Sequence, residues 1–194
     1  MAENDSGPLT KIEVLTADYH LEGTVATKGR RFSTWLNLEE ASTFDIGGAA
    51  LKSLAEAQTP EVRLGETLIN RAAIVAVIPQ DEPSGPATGQ EEHKPLEYVD
   101  KEQHQFVMSA PPFALKGYLH VARGADLSRA LISFPGSFIP VTQTRIIYTP
   151  RPELAWEGDV VLVNGDKVQL LWPAGGQQEG PAGERSAPSQ SQVF

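Results

Sequence analysis

Apolar and polar positions alternate from the first part of the chain onward. In KIEVLTADY, Ile12 and Val14 share one side between polar neighbours, and in HLEGTVAT the alternation continues through Leu21, Gly23 and Val25. A period of two predicts half-buried strands, here separated by the turn formers Ala17 and Asp18. The period then changes. In RFSTWLNLEE, Phe32, Trp35 and Leu36 recur at i, i+3 and i+4, which predicts a short helix. Farther on, GETLINRAAIVAVIP (65–79) and GDVVLVNGDKVQLLWP (158–173) have the same form. Each is an aliphatic strand ending at Asn70 or Asn164, then a turn, then a return strand stopped by Pro79 or Pro173. Asn-Gly favours left-handed turn geometry, so a tight hairpin is predicted, with Asn70-Arg71 a poorer version of the same turn.

The likeness of those two segments extends along the chain. YHLEGTV (19–25) matches FALKGYL (113–119) at an offset of 94, pairing Leu21 with Leu115 and Gly23 with Gly117. At an offset of 95, Gly29, Phe32, Ser33 and Leu36 meet Gly124, Leu127, Ser128 and Leu131. At 94 again, Phe44 meets Phe138 and Asn70 meets Asn164. One order and nearly one offset over about 60 residues indicate a duplication. The repeat also decides an ambiguous stretch. AALKSLAEA (49–57) has good helix formers, but its counterpart QTRIIYT (143–149) is β-rich, so strand is expected in both. Glycine in mid-strand at 23 and 117 points to sharp bending or close backbone approach, as small barrels require.

The expected architecture is mainly β: two tandem small β-barrels, residues 11–79 and 104–173, each with one short helix. Residues 1–10, a linker at 80–103 and a tail at 174–194 lie outside the repeats and are expected to be disordered. The charge supports that division. The net charge is −9, and the 80–103 segment alone holds seven acidic residues against two lysines. The repeats themselves are nearly neutral, so the acidity serves the connectors and argues against general nucleic-acid binding. A module of about 70 residues buries only about 60% of its unfolded surface, so two copies packed together or sharing a sheet would be steadier.

With LEGTV, an Asn-bearing segment and RLGETLINRAAIVAVI in view, the chain resembles the Sm and LSm-like proteins. The resemblance covers most of 11–79 and, less closely, 104–173. It implies a strongly bent, five-stranded SH3-like barrel. It also implies RNA binding, for which Asn37, Asn70, Arg71 and Asn164 are the corresponding positions, with Arg30 and Arg31 as phosphate contacts. The match is partial. Arg31-Phe32-Ser33-Thr34-Trp35 precedes Asn37 where the family carries an Asp, and Ile132 stands where the repeat would place a second Asn37. Turn geometry alone also accounts for Asn70 and Asn164.

Catalytic and cofactor patterns are sparse. The absence of cysteine excludes disulfides, thiolate metal sites and a cysteine nucleophile, and suits a cytoplasmic setting. None of the four histidines has i, i+4 spacing with another, and no phosphate-binding or dinucleotide-binding glycine loop is present. His20 and His120 are expected to be solvated strand residues. No cofactor, metal or membrane association is expected. These features predict a non-enzymatic binding or assembly protein that associates with itself or with a protein partner, edge strands being the means. An Sm-like RNA-binding protein and an enzyme with its site between the two repeats are the alternatives.

Overall fold

The computed structural model describes residues 9–39, 41–56, 59–80, 101–124 and 137–174. The helix expected in the second repeat (125–136), and most of the linker and both termini, lie outside these residues. The first half comprises β1 (Leu9–Thr16), β2 (Tyr19–Ala26), helix α1 (Phe32–Leu38), β3 (Thr43–Ser53), β4 (Val62–Arg63), β5 (Thr67–Asn70) and β6 (Ile74–Pro79). The second comprises β7 (Lys101–Ala110), β8 (Phe113–Ala122), β9 (Phe138–Tyr148), β10 (Ala155–Asn164) and β11 (Leu170–Pro173). The first strand thus starts two residues before position 11, and β7 takes in the last three residues of the expected linker. Of the stretch 49–57 expected to be strand, Ala49–Ser53 is strand despite its helix-forming composition, 54–56 are not, and 57 lies outside the described residues. No helix among the described residues is long and apolar enough to cross a membrane.

The described strands all pair antiparallel in one sheet, in the order β11-β7-β8-β9-β10-β6-β1-β2-β3-β4, with β5 also paired to β3. The mainly β expectation holds, but in place of two separate small barrels the described strands form one open sheet. Within each half the last strand never meets the strand before it, so the sheet stays open. Instead β6 and β10 pair across the halves, with Leu162 opposite Val77 and Val163 opposite Ala76. Two small units thereby satisfy one exposed edge each and share a sheet.

The predicted hairpins are also corrected. Asn70 and Asn164 have φ of −80° and −66°, not the left-handed values of a tight Asn-Gly turn. Each side-chain Oδ1 accepts a hydrogen bond from the amide two residues on, at 2.9 Å from Ala72 and 3.0 Å from Asp166. Each opens a 3-10 turn, Arg71–Ala73 or Gly165–Lys167, that carries the chain from one edge of the half to the other. Asn favours that geometry for the same reason it favours turns: its short side chain bonds the nearby backbone. The pairing also revises one repeat equivalence. Thr43 lies opposite Asn70 and Phe138 opposite Asn164, so Phe138 corresponds to Thr43 and not to Phe44.

Gly23 and Gly117 are the bends. The pairing of β2 with β3 shifts register between Glu22 and Thr24, and that of β8 with β9 between Lys116 and Tyr118. A Cβ on Gly117 would stand 2.6 Å from Thr144 Oγ1 and 2.9 Å from the Thr142 carbonyl oxygen, and one on Gly23 would strike the Ile46 side chain. The close approach that a small, curled sheet needs is therefore made at these two glycines.

The core crosses the boundary between halves. Leu15, Leu54, Val75, Ala76 and Ile78 of the first half pack with the second half's Phe106, Phe113 and Ile146. Conversely, Phe138 and Leu162 complete the first half's cluster around Phe32, Trp35 and Leu36. Trp35, on the buried stripe of α1, meets Phe44 edge to face at 5.3 Å.

Candidate functional site

The junction of the halves carries a cleft on each of two sides. The first, of about 450 Å³, gathers Asn37, Asn70, Arg71 and Asn164, four of the six positions singled out by the family resemblance. Arg30 and Arg31 do not line it: Arg30 is exposed in the turn before α1, and Arg31 is the helix N-cap. What holds the four together is structural hydrogen bonding. Asn37 Nδ2 donates to the Phe138 carbonyl and its Oδ1 accepts from the Phe138 amide, both at 2.9 Å. This mimics a strand pairing and ties α1 to β9. Asn164 Nδ2 donates to the Ile74 carbonyl at 2.9 Å and to that of Arg71 at 3.4 Å, across the junction.

Arg71 lies over the Phe138 ring, its guanidinium carbon 5.4 Å from the centroid. Its Nη1 is buried with no hydrogen-bond partner. Burial pulls its pKa below the usual arginine value, while the Glu39 carboxylate pushes it back up. The ring face offers a partial substitute for lost hydration. Glu39 and Asp166 also line the cleft, so its charge is mixed. The side chains of Asn37 and Asn164 are engaged at both nitrogen and oxygen and Asn70 at its oxygen, while the partly buried Arg71 guanidinium offers the cleft a cationic group.

The second cleft, of about 300 Å³, runs between β2–β3 and the β9–β10 connection. It draws His20, Glu22 and Lys52 from one half and Arg151, Glu153 and Trp156 from the other. His20 is only 9% exposed, which corrects its expected solvation. The reason is tertiary: the Trp156 ring of the other half sits 5.5 Å from the imidazole. His20 Nε2 is hydrogen-bonded to Glu13 Oε2 at 2.8 Å, and Nδ1 lies 4.0 Å from Glu22 Oε1. Glu13 and Glu22 are direct cross-strand partners, a like-charge pair that the intervening imidazole offsets when protonated. Among the described residues, Glu13, His20 and Glu22 are the group whose donor atoms lie close enough to hold a metal ion. Ser53 lines the same cleft, but among the described residues it makes no hydrogen bond to His20, so no nucleophile–base pair is formed. Arg151 closes one side by donating to the Leu54 carbonyl at 3.2 Å. It also holds Glu153, whose carboxyl is kept below its ordinary pKa by a backbone hydrogen bond and by this guanidinium. The other two described histidines do not join the cluster: His120 bonds Thr142 at 2.9 Å, and His104 faces Glu102 at 3.8 Å.

The sheet ends at two edges left unpaired among the described residues: β11 on one side, and β4 with β5 on the other. Several of the chain's exposed large apolar side chains sit on these strands: Val62, Leu68, Leu170 and Trp172. The alternating pattern predicted strands here but not which of them would be outermost. Comparison with protein-family models, with curated proteins and with solved structures gives no match.

Proposed function

We propose that this is a non-enzymatic binding and assembly protein, made of two small-barrel-like halves in tandem, whose binding surfaces are its open sheet edges. One observation carries the reading. The halves are themselves joined by pairing of edge strands, and the strands at the two ends of the resulting sheet bear uncovered apolar side chains. An edge of unpaired N–H and C=O groups beside apolar side chains is a template for another strand. The shared strand order of the halves and the matched bends at Gly23 and Gly117 support the small-barrel reading, as does the Sm-like resemblance. A cytoplasmic setting belongs to the same proposal and draws on the absence of cysteine.

The test is edge dependence. Capture of partners from the native host by the full chain should be lost when Leu68 and Leu170 are both changed to lysine. A captured set identical for the two proteins overturns the reading.

RNA binding is the second reading, favoured by the convergence of Asn37, Asn70, Arg71 and Asn164 on one cleft. It is the weaker one, because those amides are largely spent on the fold and two carboxylates share the cleft. No mobility shift of U-rich or A-rich RNA is expected at low salt and high micromolar protein; a salt-sensitive shift reverses this ranking. An enzyme would use the His20 cleft, which does hold polar groups from both halves, but among the described residues His20 is bonded to Glu13 and to no nucleophile, which favours binding over catalysis.

A further inference from the structure

β1 and β2 run antiparallel, with Glu13 opposite Glu22 and Leu15 opposite His20. The strand period of two puts Glu13, Leu15, His20 and Glu22 on one face of this hairpin. On that face Leu15 packs into the second half's core, and the Trp156 ring covers His20. Two carboxylates and one imidazole are thus gathered where the halves meet. Neither the shared sheet nor the edge strands require this cluster. Its like-charge pair works against the fold, and burying an imidazole costs desolvation.

The donor geometry suits a metal ion. One ligand atom from each of Glu13, His20 and Glu22 lies within 4.8 Å of the others. Four-coordinate zinc, with bonds of about 2.0–2.1 Å, sets its ligand atoms about 3.3 Å apart. His20 Nε2 and Glu13 Oε2, at 2.8 Å, are already near that separation. The Glu22 side chain is exposed, so its carboxylate can swing in without disturbing the core. Glu13 is held from behind: the Gln80 side-chain amide donates to Oε1 and leaves Oε2 to the imidazole. Outer partners of this kind fix the orientation of a ligating carboxylate. The surroundings are anionic as well. Glu56, Glu61 and Glu153 join Glu22 around the cleft, against Lys52 and Arg151. Lys52, the partner of His20 on β3, opposes a cation, whereas Arg151 is tied to Glu153 and to the Leu54 carbonyl.

We propose that Glu13, His20 and Glu22 form a binding site for a divalent transition-metal ion of the zinc type. The ion takes His20 Nε2, Glu13 Oε2 and one Glu22 carboxylate oxygen, and water fills the remaining positions. The imidazole proton moves from Nε2 to Nδ1, so the ring stays neutral and the two carboxylates balance the charge of the ion. One nitrogen with two oxygen donors favours zinc and its transition-series neighbours over magnesium and calcium, which prefer oxygen alone. The repulsion between Glu13 and Glu22 in the metal-free protein becomes shared attraction to the ion.

Trp156 supplies a local reporter, its ring 5.5 Å from the imidazole. Full-length protein cleared of metal with a chelator should bind one zinc ion per chain at micromolar concentration in titration calorimetry. Nickel, a fluorescence quencher, should compete with zinc and dim the tryptophan emission. Trp156→Phe should remove most of that quenching and keep the zinc heat. His20→Gln should abolish zinc binding. Because His20 is buried, Glu22→Gln at an exposed side chain is the paired test: tight binding should be lost with no fall in the urea midpoint. Gln80→Ala, which frees the Glu13 carboxylate, should weaken binding by about tenfold or more. Glu61→Gln, at a cleft carboxylate outside the cluster, should leave the affinity unchanged. No zinc heat and no quenching at millimolar metal overturns the proposal. So does binding that survives both His20→Gln and Glu22→Gln, or that magnesium displaces as readily as nickel does, since either marks general attraction of cations to an acidic chain. Nickel quenching that persists in full in Trp156→Phe places the ion elsewhere and overturns it too. The edge reading is independent of all these outcomes.

Discussion

Phe138→Ala is expected to destabilise the protein by about 3–5 kcal/mol in a urea melt. The residue belongs to β9 of the second half, yet it is 1% exposed within the core of the first. Its ring fills space against α1 and carries the Arg71 guanidinium on one face. Truncation opens a cavity where the surroundings are held from both sides. Asn37 clamps the Phe138 backbone at N and O, so β9 cannot move in to fill it. Removal of the ring also leaves Arg71, whose Nη1 is already without a partner, more poorly compensated. The repeat supplies the control. Thr43 occupies the equivalent position opposite Asn70 and is exposed, so Thr43→Ala should change stability by no more than about 0.5 kcal/mol. Equal losses at the two positions would show that Phe138 does not join the halves.

Asn164→Ala should cost about 2–4 kcal/mol, and Asn70→Ala about 1 kcal/mol, measured in the same melts at low protein concentration. Both asparagines open the same turn, and each variant loses that cap. Only Asn164, 3% exposed, also spans the junction, so its loss leaves the buried Ile74 carbonyl without its side-chain donor. The difference between the two variants isolates the cross-half clasp from the local turn. Similar losses at both sites would reduce Asn164 to a turn residue.

Period-two alternation, the apolar stripe of α1 and the mid-strand glycines were legible because each is a local consequence of backbone geometry. Strand pleat, helical turn and the space beside a bend are set within a few residues. The repeat extended that reach, correctly overruling the helix-forming composition around Ala49–Ser53. It misplaced Phe138 by one position, because an alignment of aromatic residues cannot see which backbone lies opposite which. The burial of His20 was invisible for a similar reason. The residues two positions away on either side, Asp18 and Glu22, are polar, and the ring that covers it, Trp156, arrives from the other half.

The amino-acid order alone pointed to a mainly β chain, to the two glycines where the strands bend, and to the asparagines that end β5 and β10. Those features depend on short-range sterics and hydrogen bonding. It could not establish that the copies would share one open sheet, that Phe138 and Leu162 would serve the opposite half's core, or that four candidate residues would meet in a single cleft. Strand edges are chemically alike along any backbone. Which two of them pair is settled only when the bent halves, packed together, leave one edge of each within reach of the other.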